Sequence, residues 1–229
     1  MPSNSVPLRF QCGSPAVSAA DTLSCAALDQ RGVSRPQGDG CDIGAYEVAA
    51  PTARTDPAGG VGTSGATLWG AVLPGDWPAT ARFEYGETEA YGATVAVGGD
   101  PITGTVEIPL SHALTGLLPS TTYHYRLVAE NAIATFWGSD RTFTTEAIPP
   151  TVETGGADGI TAAGVTLHGT VNAHNDDATV AFAYGLTTSY GATVAASQSP
   201  VTGRDDEAVS ATLTGLLPNT LYHYRVVAE

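Results

Sequence analysis

A duplication constrains the fold of this chain more than any other feature. The stretch TGLLPSTTYHYR at residues 115–126 returns as TGLLPNTLYHYR at residues 214–225, 99 residues later. The same offset holds without a gap between residues 65–130 and 164–229, where 35 of 66 positions are identical. A period of about 100 residues is too long for a solenoid repeat and suits a small sandwich domain. Each copy is therefore predicted to fold on its own.

The composition and the hydrophobic pattern both favour an all-β fold. Charged residues make up only 14% of the chain, and there are 27 glycines. Residues 66–72, 81–85 and 123–130 alternate between apolar and polar side chains, as half-buried antiparallel strands do. Clusters of turn-forming residues separate these stretches at the spacing of a β-sandwich.

The charge of the chain excludes several classes of function. The formal net charge is −14, and all nine basic residues are arginines. A phosphate backbone would be repelled, so we expect no nucleic-acid partner. The absence of lysine also excludes Schiff-base chemistry. No run of about 18 apolar residues is present, which predicts no membrane span. The N-terminus lacks the pattern of a signal peptide, so an exported protein would carry its signal upstream of this sequence.

Residues 1–49 contain all three cysteines, Cys12, Cys25 and Cys41. This segment has too few large apolar residues to close a core alone, and we expect it to dock on a larger domain. A disulfide between Cys25 and Cys41 would remove chain entropy worth roughly 3 kcal/mol. Two free buried thiols or a metal site are the alternatives, although no CxxC spacing supports zinc. Cys12 would remain as the odd thiol.

This segment contains S-P-A at 14–16, Cys25, D-Q-R-G at 29–32, R-P at 35–36 and C-D-I-G-A-Y-E at 41–47. This set of elements resembles the C-terminal end of bacterial surface proteins that are built on a right-handed parallel β-helix and carry a choice-of-anchor Q region. Ser18 departs from the pattern, since the family usually has an acid there. The resemblance implies that residues 1–49 are the end of a β-helix region. The nearby charged side chains are interpreted as structural ion pairs rather than a catalytic cluster. These charged residues are Asp29, Arg31, Arg35, Asp42 and Glu47.

Both copies resemble fibronectin type III domains through an L-x-P-x-T-x-Y motif followed by an alternating strand. The first copy carries the motif at residues 117–123 and the second at residues 216–222. The resemblance implies tandem immunoglobulin-like sandwiches at residues 50–147 and 148–229. It also implies a tyrosine corner, in which the hydroxyls of Tyr123 and Tyr222 bond backbone a few residues upstream.

The second copy has no counterpart of GSDRTFTT, residues 138–145, which the family topology makes the final edge strand. The sixth strand of that copy is therefore expected to present unpaired N–H and C=O groups. Either the natural chain continues or that edge recruits a partner.

Three aromatic side chains form the candidate contact site for a partner. The family layout predicts that Trp77, Phe136 and Trp137 gather at one pole of the first sandwich. They would pack against the preceding segment or contact a surface protein or a glycan. Glu84 is predicted to pair with Arg126, and the histidines flanked by tyrosines, His124 and His223, are interpreted as surface residues.

These observations predict a non-catalytic extracellular or cell-surface module that spaces, presents or attaches the domains of a larger secreted protein. Its partners would be other domains of the same polypeptide. No catalytic residue, cofactor site or metal site is predicted. The alternative is an accessory region of a secreted carbohydrate-active β-helix enzyme whose active site lies upstream.

Overall fold

The computed structural model describes residues 18–20, 25–36, 40–43 and 48–229, with only the backbone at Asp100. These described residues form strands, turns and isolated bridges, and no helix is found among them. The described residues therefore contain no helix that is long and apolar enough to cross a membrane. The predicted all-β fold class is confirmed.

The first sandwich comprises strands β1 to β8, which form two sheets. One sheet has the order β1-β2-β5, and the other has the order β4-β3-β6-β7 with β8 also paired to β6. The strands are β1 (Thr52–Gly59), β2 (Gly65–Leu73), β3 (Ala79–Gly86), β4 (Ala93–Ile102), β5 (Ile108–Thr115), β6 (Thr122–Glu130), β7 (Thr135–Trp137) and β8 (Arg141–Thr144).

The second sandwich comprises strands β9 to β16 and repeats this plan. One sheet has the order β9-β10-β15, the other has the order β13-β12-β16, and β11 pairs with β14 beside them. The strands are β9 (Thr151–Asp158), β10 (Gly164–Asn172), β11 (Asp176–Ala178), β12 (Val180–Gly185), β13 (Ala192–Ala195), β14 (Val201–Gly203), β15 (Glu207–Thr214) and β16 (His223–Ala228).

Each core consists of the inward-facing residues of the alternating strands. Phe83 and Leu127 are fully buried in the first sandwich, and Phe182 and Val226 are buried at the matching positions of the second. Neighbouring strands of the same sheet supply these side chains. Phe83 on β3 pairs with Leu127 on β6, and Phe182 on β12 pairs with Val226 on β16. The alternation that predicted the strands therefore also predicted which face is buried.

The chain divides into two compact units whose boundaries differ slightly from those of the sequence copies. The first unit extends to residue 60 and includes 66–114 and 122–143. The second unit contains residues 61–65, 115–121 and 144–229. The predicted boundary at 147/148 lies four residues after the point where the last segment of the second unit begins.

The described part of residues 18–50 is a compact loop segment held by one disulfide and two carboxylates. Cys25 and Cys41 are joined as a disulfide. The Asp29 carboxylate accepts hydrogen bonds from the Arg31 and Val33 amides at 2.7 and 2.9 Å and pairs with the Arg31 side chain. Asp42 accepts the backbone amides of Ser18 and Val48, both at 2.7 Å. Asp29 and Asp42 thus have structural roles.

This segment contacts the first sandwich at the turn after β2. The Asp76 carboxylate accepts a hydrogen bond from the Ala49 amide at 2.9 Å and pairs with Arg31 at 3.3 Å. Cys12, Glu47 and the predicted elements at residues 14–16 and 44–47 lie outside the described residues.

Candidate functional site

A tyrosine hydroxyl links the two sheets of each sandwich at equivalent positions. The Tyr125 hydroxyl on β6 donates to the Asp56 carbonyl on β1 at 2.7 Å, and the Tyr224 hydroxyl on β16 donates to the Gly155 carbonyl on β9 at 2.9 Å. The pairing register of β1 and β9 shifts at these carbonyls. A β-bulge interrupts the ladder there, which leaves a carbonyl oriented toward the opposite sheet.

A threonine of the first strand supports the same link in both copies, and it is buried in the first copy and exposed in the second. The Leu127 amide donates to Thr55 Oγ1 at 3.0 Å, and the Val226 amide donates to Thr154 Oγ1 at 3.2 Å. Both pairs are related by the offset of 99 residues. In each sandwich two hydrogen bonds that are not part of a sheet ladder therefore join the first strand to a strand of the other sheet. They join β1 to β6 in the first sandwich and β9 to β16 in the second.

The sheet orders and the cross-sheet hydrogen bonds define the fold of both copies. Each copy is a fibronectin type III-like sandwich. No family model matches the chain, and no curated protein matches it.

Solved structures similar to the chain include three multidomain or sensor fragments. The sensor domain of the anti-sigma factor RsgI4 from Pseudobacteroides cellulosolvens is 18% identical, with 48% of this chain and 97% of that chain covered and a TM-score of 0.33. A two-domain fibronectin type III segment of chicken tenascin is 16% identical, with 78% and 90% covered and a TM-score of 0.37. Domains FN1–FN3 of chicken CNTN1 are 18% identical, with 80% and 63% covered and a TM-score of 0.30.

The predicted corner tyrosines lie two residues before the tyrosines that link the sheets. The Tyr222 hydroxyl accepts a hydrogen bond from the Leu217 amide, five residues upstream, at 3.1 Å. Tyr123 is only 6% exposed, and its ring stacks on Phe143 with centroids 5.6 Å apart. Tyr125 and Tyr224 were not singled out from the sequence, because the alternation places them on the same inward face as Tyr123 and Tyr222 without indicating which hydroxyl reaches the other sheet.

Strand β8 covers both tyrosines of β6 in the first sandwich. The Phe143 ring lies 5.6 Å from the Tyr123 centroid and 5.7 Å from the Tyr125 centroid, and Phe143 is buried. Residues around β8 also bond to the backbone: the Gly138 amide donates to the Leu127 carbonyl at 2.8 Å, and the Thr145 amide donates to the Thr121 carbonyl at 3.0 Å.

The matching surface of the second sandwich is an open apolar groove of about 580 Å³, which we call the strand groove. It is formed by residues 157–167 and 213–224 together with Tyr184. Tyr222 and Tyr224, the counterparts of the two tyrosines that Phe143 covers, both line it and are half-buried. Leu217 and Leu221 are 61% and 77% exposed on its rim.

The outward face of β3 and β6 carries a cluster of charged and aromatic side chains. Arg126 pairs with Glu84 at 2.8 Å, as predicted from the sequence. The Arg126 guanidinium lies 4.6 Å from the Tyr91 ring centroid and 5.8 Å from the Trp137 ring centroid. In the second copy the Arg225 guanidinium lies 4.8 Å from the Tyr190 ring centroid. Such cation–π stacks are worth about 0.5–1 kcal/mol at exposed sites.

A histidine and two carboxylates meet beside this face. The ligand atoms of Glu89, His124 and Asp140 lie within 4.8 Å of one another. Asp140 already accepts the Tyr91 hydroxyl at 2.9 Å and lies 2.9 Å from His124 Nδ1. Burial and this hydrogen bond raise the pKa of Tyr91 to about 12. Sequence reasoning missed the cluster because its members are far apart in the chain and come together only through the fold.

The three predicted contact aromatics have different environments. Phe136 and Trp137 are adjacent residues of β7, 38% and 55% exposed. Trp137 lies with Arg126 on the outward face of the sheet. Trp77 is half-buried in the turn between β2 and β3, next to Asp76, which binds Ala49. That the three side chains form one contact site stays a prediction. Of the three, Trp137 is the one that lies beside a guanidinium, that of Arg126.

Proposed function

We propose that this chain is a non-catalytic part of an extracellular or cell-surface protein, in which two similar sandwiches space and present neighbouring domains. The observation that carries the proposal is which residues the two copies share. The residues that link the sheets are shared, as with Tyr125 and Tyr224 or Thr55 and Thr154. Outward residues are shared at some positions, as with Arg126 and Arg225, and differ at others, as with Glu84 and Ala183. Both hydrogen bonds that link the sheets are thus kept in the duplication, whereas the Glu84–Arg126 ion pair is not.

The disulfide supports the proposed location. Disulfides persist in secreted and surface proteins and are rare in reducing compartments. Cys25 and Cys41 are bonded to each other in a segment with little apolar core of its own. The resemblance of this segment to the end of a β-helix surface protein is consistent with such a location.

Mechanical unfolding of the whole 229-residue chain tests the spacer role. Pulling on both ends is expected to give two separate unfolding steps, because each sandwich has its own core. Each step should lengthen the chain by about 250–350 Å, since an extended residue spans about 3.3–3.6 Å. A featureless extension at low force would contradict the proposal.

An activity assay separates this proposal from the enzyme alternative. The purified chain incubated with plant and bacterial polysaccharides is expected to release no new reducing or unsaturated sugar ends. Release of such ends that is lost on heat denaturation would assign catalysis to these residues and overturn the non-catalytic assignment.

The adhesive part of the proposal concerns Trp137. An exposed aromatic ring beside a guanidinium suits contact with a protein surface or a sugar ring. Trp137→Ala is expected to lower binding of the chain to cells or to a glycan array. The matched control is Trp69→Ala, a tryptophan on β2 that is 47% exposed on the other sheet. If both variants bind as well as the unchanged chain, Trp137 does not contribute to adhesion.

A further inference from the structure

We propose that Glu89, His124 and Asp140 form a binding site for one divalent transition-metal cation, and that Zn²⁺ is the ion that fits their donor atoms best. The site lies beside the outward face of β3 and β6 in the first sandwich. The sequence predicted no metal site, because only the fold brings these three residues together. This binding property goes beyond the spacer function and does not depend on it.

Each of the three side chains comes from a different element. Glu89 belongs to the turn after β3, His124 lies on β6, and Asp140 directly precedes β8. Strands β3 and β8 both pair with β6, so the sheet itself sets the spacing of these positions. A site whose ligands are held by neighbouring strands and one short turn needs little rearrangement to bind an ion.

The turn that carries Glu89 has a defined backbone. The Tyr91 amide donates to the Thr88 carbonyl at 2.8 Å, and the Ala90 amide donates to Thr88 Oγ1 at 3.3 Å. Gly86 at the end of β3 allows the Tyr91 carbonyl to lie against it, because a Cβ there would overlap this oxygen. The exposed Glu89 side chain therefore starts from a fixed position beside the other two ligands.

The donor atoms are close enough to share one ion. One donor atom from each residue lies within 4.8 Å of the other two, and His124 Nδ1 is 2.9 Å from Asp140 Oδ2. Zinc bonds of about 2.0–2.2 Å hold the ligand atoms of a tetrahedral site about 3.3–3.6 Å apart. Small rotations of these side chains reach that spacing. Water completes the coordination at the fourth position.

The donor set selects the class of cation. One imidazole nitrogen and two carboxylate oxygens suit Zn²⁺ and its first-row neighbours. Ca²⁺ and Mg²⁺ are hard cations that prefer oxygen ligands alone. We therefore expect these two ions to compete poorly for the site, since His124 offers them no oxygen.

The charges at the site also favour a cation. Glu89 and Asp140 bring two carboxylates together, and like charges at this distance repel each other. Arg126 is paired with Glu84 at 2.8 Å, and no arginine of the described chain forms an ion pair with Glu89 or Asp140. A divalent cation neutralises both carboxylates, whereas a protonated His124 neutralises only one.

Tyr91 is a positioning residue for this site. Its hydroxyl donates to Asp140 Oδ1 at 2.9 Å, which leaves Oδ2, the oxygen next to His124, for the ion. The Tyr91 ring is itself held by the Arg126 guanidinium, 4.6 Å from the ring centroid. Carboxylates that bind a metal are commonly oriented by such a second hydrogen bond, and its loss typically lowers metal affinity about 10- to 100-fold.

Isothermal titration calorimetry with ZnCl₂ tests the proposal, using the whole 229-residue chain without a purification tag and in a buffer free of chelators. One zinc ion per chain is expected to bind. Glu89→Thr and Asp140→Asn should each abolish this one-to-one binding. Tyr91→Phe should keep the ratio of one ion per chain and weaken the affinity about 10- to 100-fold. CaCl₂ at the same concentrations should give no one-to-one binding.

Two features of the duplication supply the controls. His223→Gln removes the equivalent histidine of the second copy, where Thr188 stands in place of Glu89, and should leave zinc binding unchanged. Glu89→Thr keeps every histidine and cysteine, so zinc held by a thiol or by another imidazole would still bind to this variant. Circular dichroism checks that each variant is folded.

Thermal unfolding gives a second readout. Zinc should raise the unfolding temperature of the first sandwich and leave that of the second unchanged, because the ion joins elements of the first sandwich only. Three outcomes would overturn the proposal: no binding of zinc by the folded chain, binding that Glu89→Thr and Asp140→Asn both retain, or an equal loss of binding in His223→Gln. The three side chains would then form only the hydrogen-bonded pair of His124 and Asp140 with a carboxylate beside it.

Discussion

Two glycines, one in each copy, lie so close to a backbone carbonyl that no side chain fits. A Cβ on Gly86 would overlap the Tyr91 carbonyl, and a Cβ on Gly185 would overlap the Tyr190 carbonyl. Both tyrosines have positive φ values, 59° and 56°, so the turn cannot move away without further strain. The two glycines therefore allow the turn to lie close to the end of β3 in the first copy and to the end of β12 in the second.

Substitution of these glycines is expected to destabilise one sandwich at a time. Gly86→Ala should lower the free energy of unfolding of the first sandwich by about 2–4 kcal/mol, and Gly185→Ala should do the same for the second. Urea unfolding followed by tryptophan fluorescence and circular dichroism measures the change. The control is Gly99→Ala, where a Cβ meets no atom within 4 Å. Equal stability of Gly86→Ala and Gly99→Ala would contradict the geometry of the turn.

Tyr91 gives the first sandwich a dependence on alkaline pH. Burial and the hydrogen bond donated to Asp140 raise the pKa of this tyrosine from 10.0 to about 12. A pKa that is higher in the folded state means that the stabilisation is fully present below about pH 10 and is lost as the pH rises through about 12. The folded protein should thus lose stability between these two pH values.

The difference between the unchanged chain and Tyr91→Phe measures this effect. Phenolate absorbance should show one titration step near pH 12 that the variant lacks. The loss of unfolding free energy between about pH 10 and about pH 12 should also be smaller in the variant. A Tyr91 step near the ordinary tyrosine pKa would show that Asp140 does not hold the phenol.

At the scale of elements, β8 closes the tyrosine face of the first sandwich. Its Phe143 covers the β6 tyrosines, and in the second sandwich the equivalent tyrosines line the strand groove. Phe143→Ala is expected to destabilise the first sandwich by about 3–5 kcal/mol, the usual cost of deleting a buried aromatic ring. Calorimetry measures this loss. A control at Phe136→Ala, on the exposed strand β7, should cost much less, and equal losses would contradict the assigned role of β8.

The strands were predictable from the sequence, but the contacts that link the sheets were not. Alternation over residues 123–130 identified β6 and its inward face, because burial of one face leaves a period of two in the sequence. The bulge in β1 at Asp56 has no such signature, since it is a shift of register between strands far apart in the chain. Tyr125 was therefore missed as the residue that joins the sheets.

The candidate site was predictable in part. The comparison of the two copies predicted that the sixth-strand position of the second copy would have an open edge, and β16 lies at the edge of its sheet. The apolar rim of the groove was not predicted. Its only sequence signal is Leu221, which stands where the first copy has Thr122. The Glu89, His124 and Asp140 cluster depends on contacts between distant segments and has no local pattern.

At the scale of the whole molecule, the duplication implies two cores with the same internal link. The hydroxyl of Tyr125 or Tyr224 supplies a hydrogen bond worth about 0.5–1.5 kcal/mol in each sandwich. The bond of Tyr125 is the more buried one, because Phe143 covers its ring. Removing each hydroxyl separately therefore reports on one sandwich only.

The most direct test is differential scanning calorimetry of the 229-residue chain with Tyr125→Phe and Tyr224→Phe made singly. Two transitions are expected, one for each sandwich. Tyr125→Phe should lower the midpoint of one by several degrees, Tyr224→Phe should lower the other by less, and neither should shift both. A single transition that both substitutions lower equally, or no shift with either, would contradict a chain of two separately folded sandwiches, each joined by its own tyrosine.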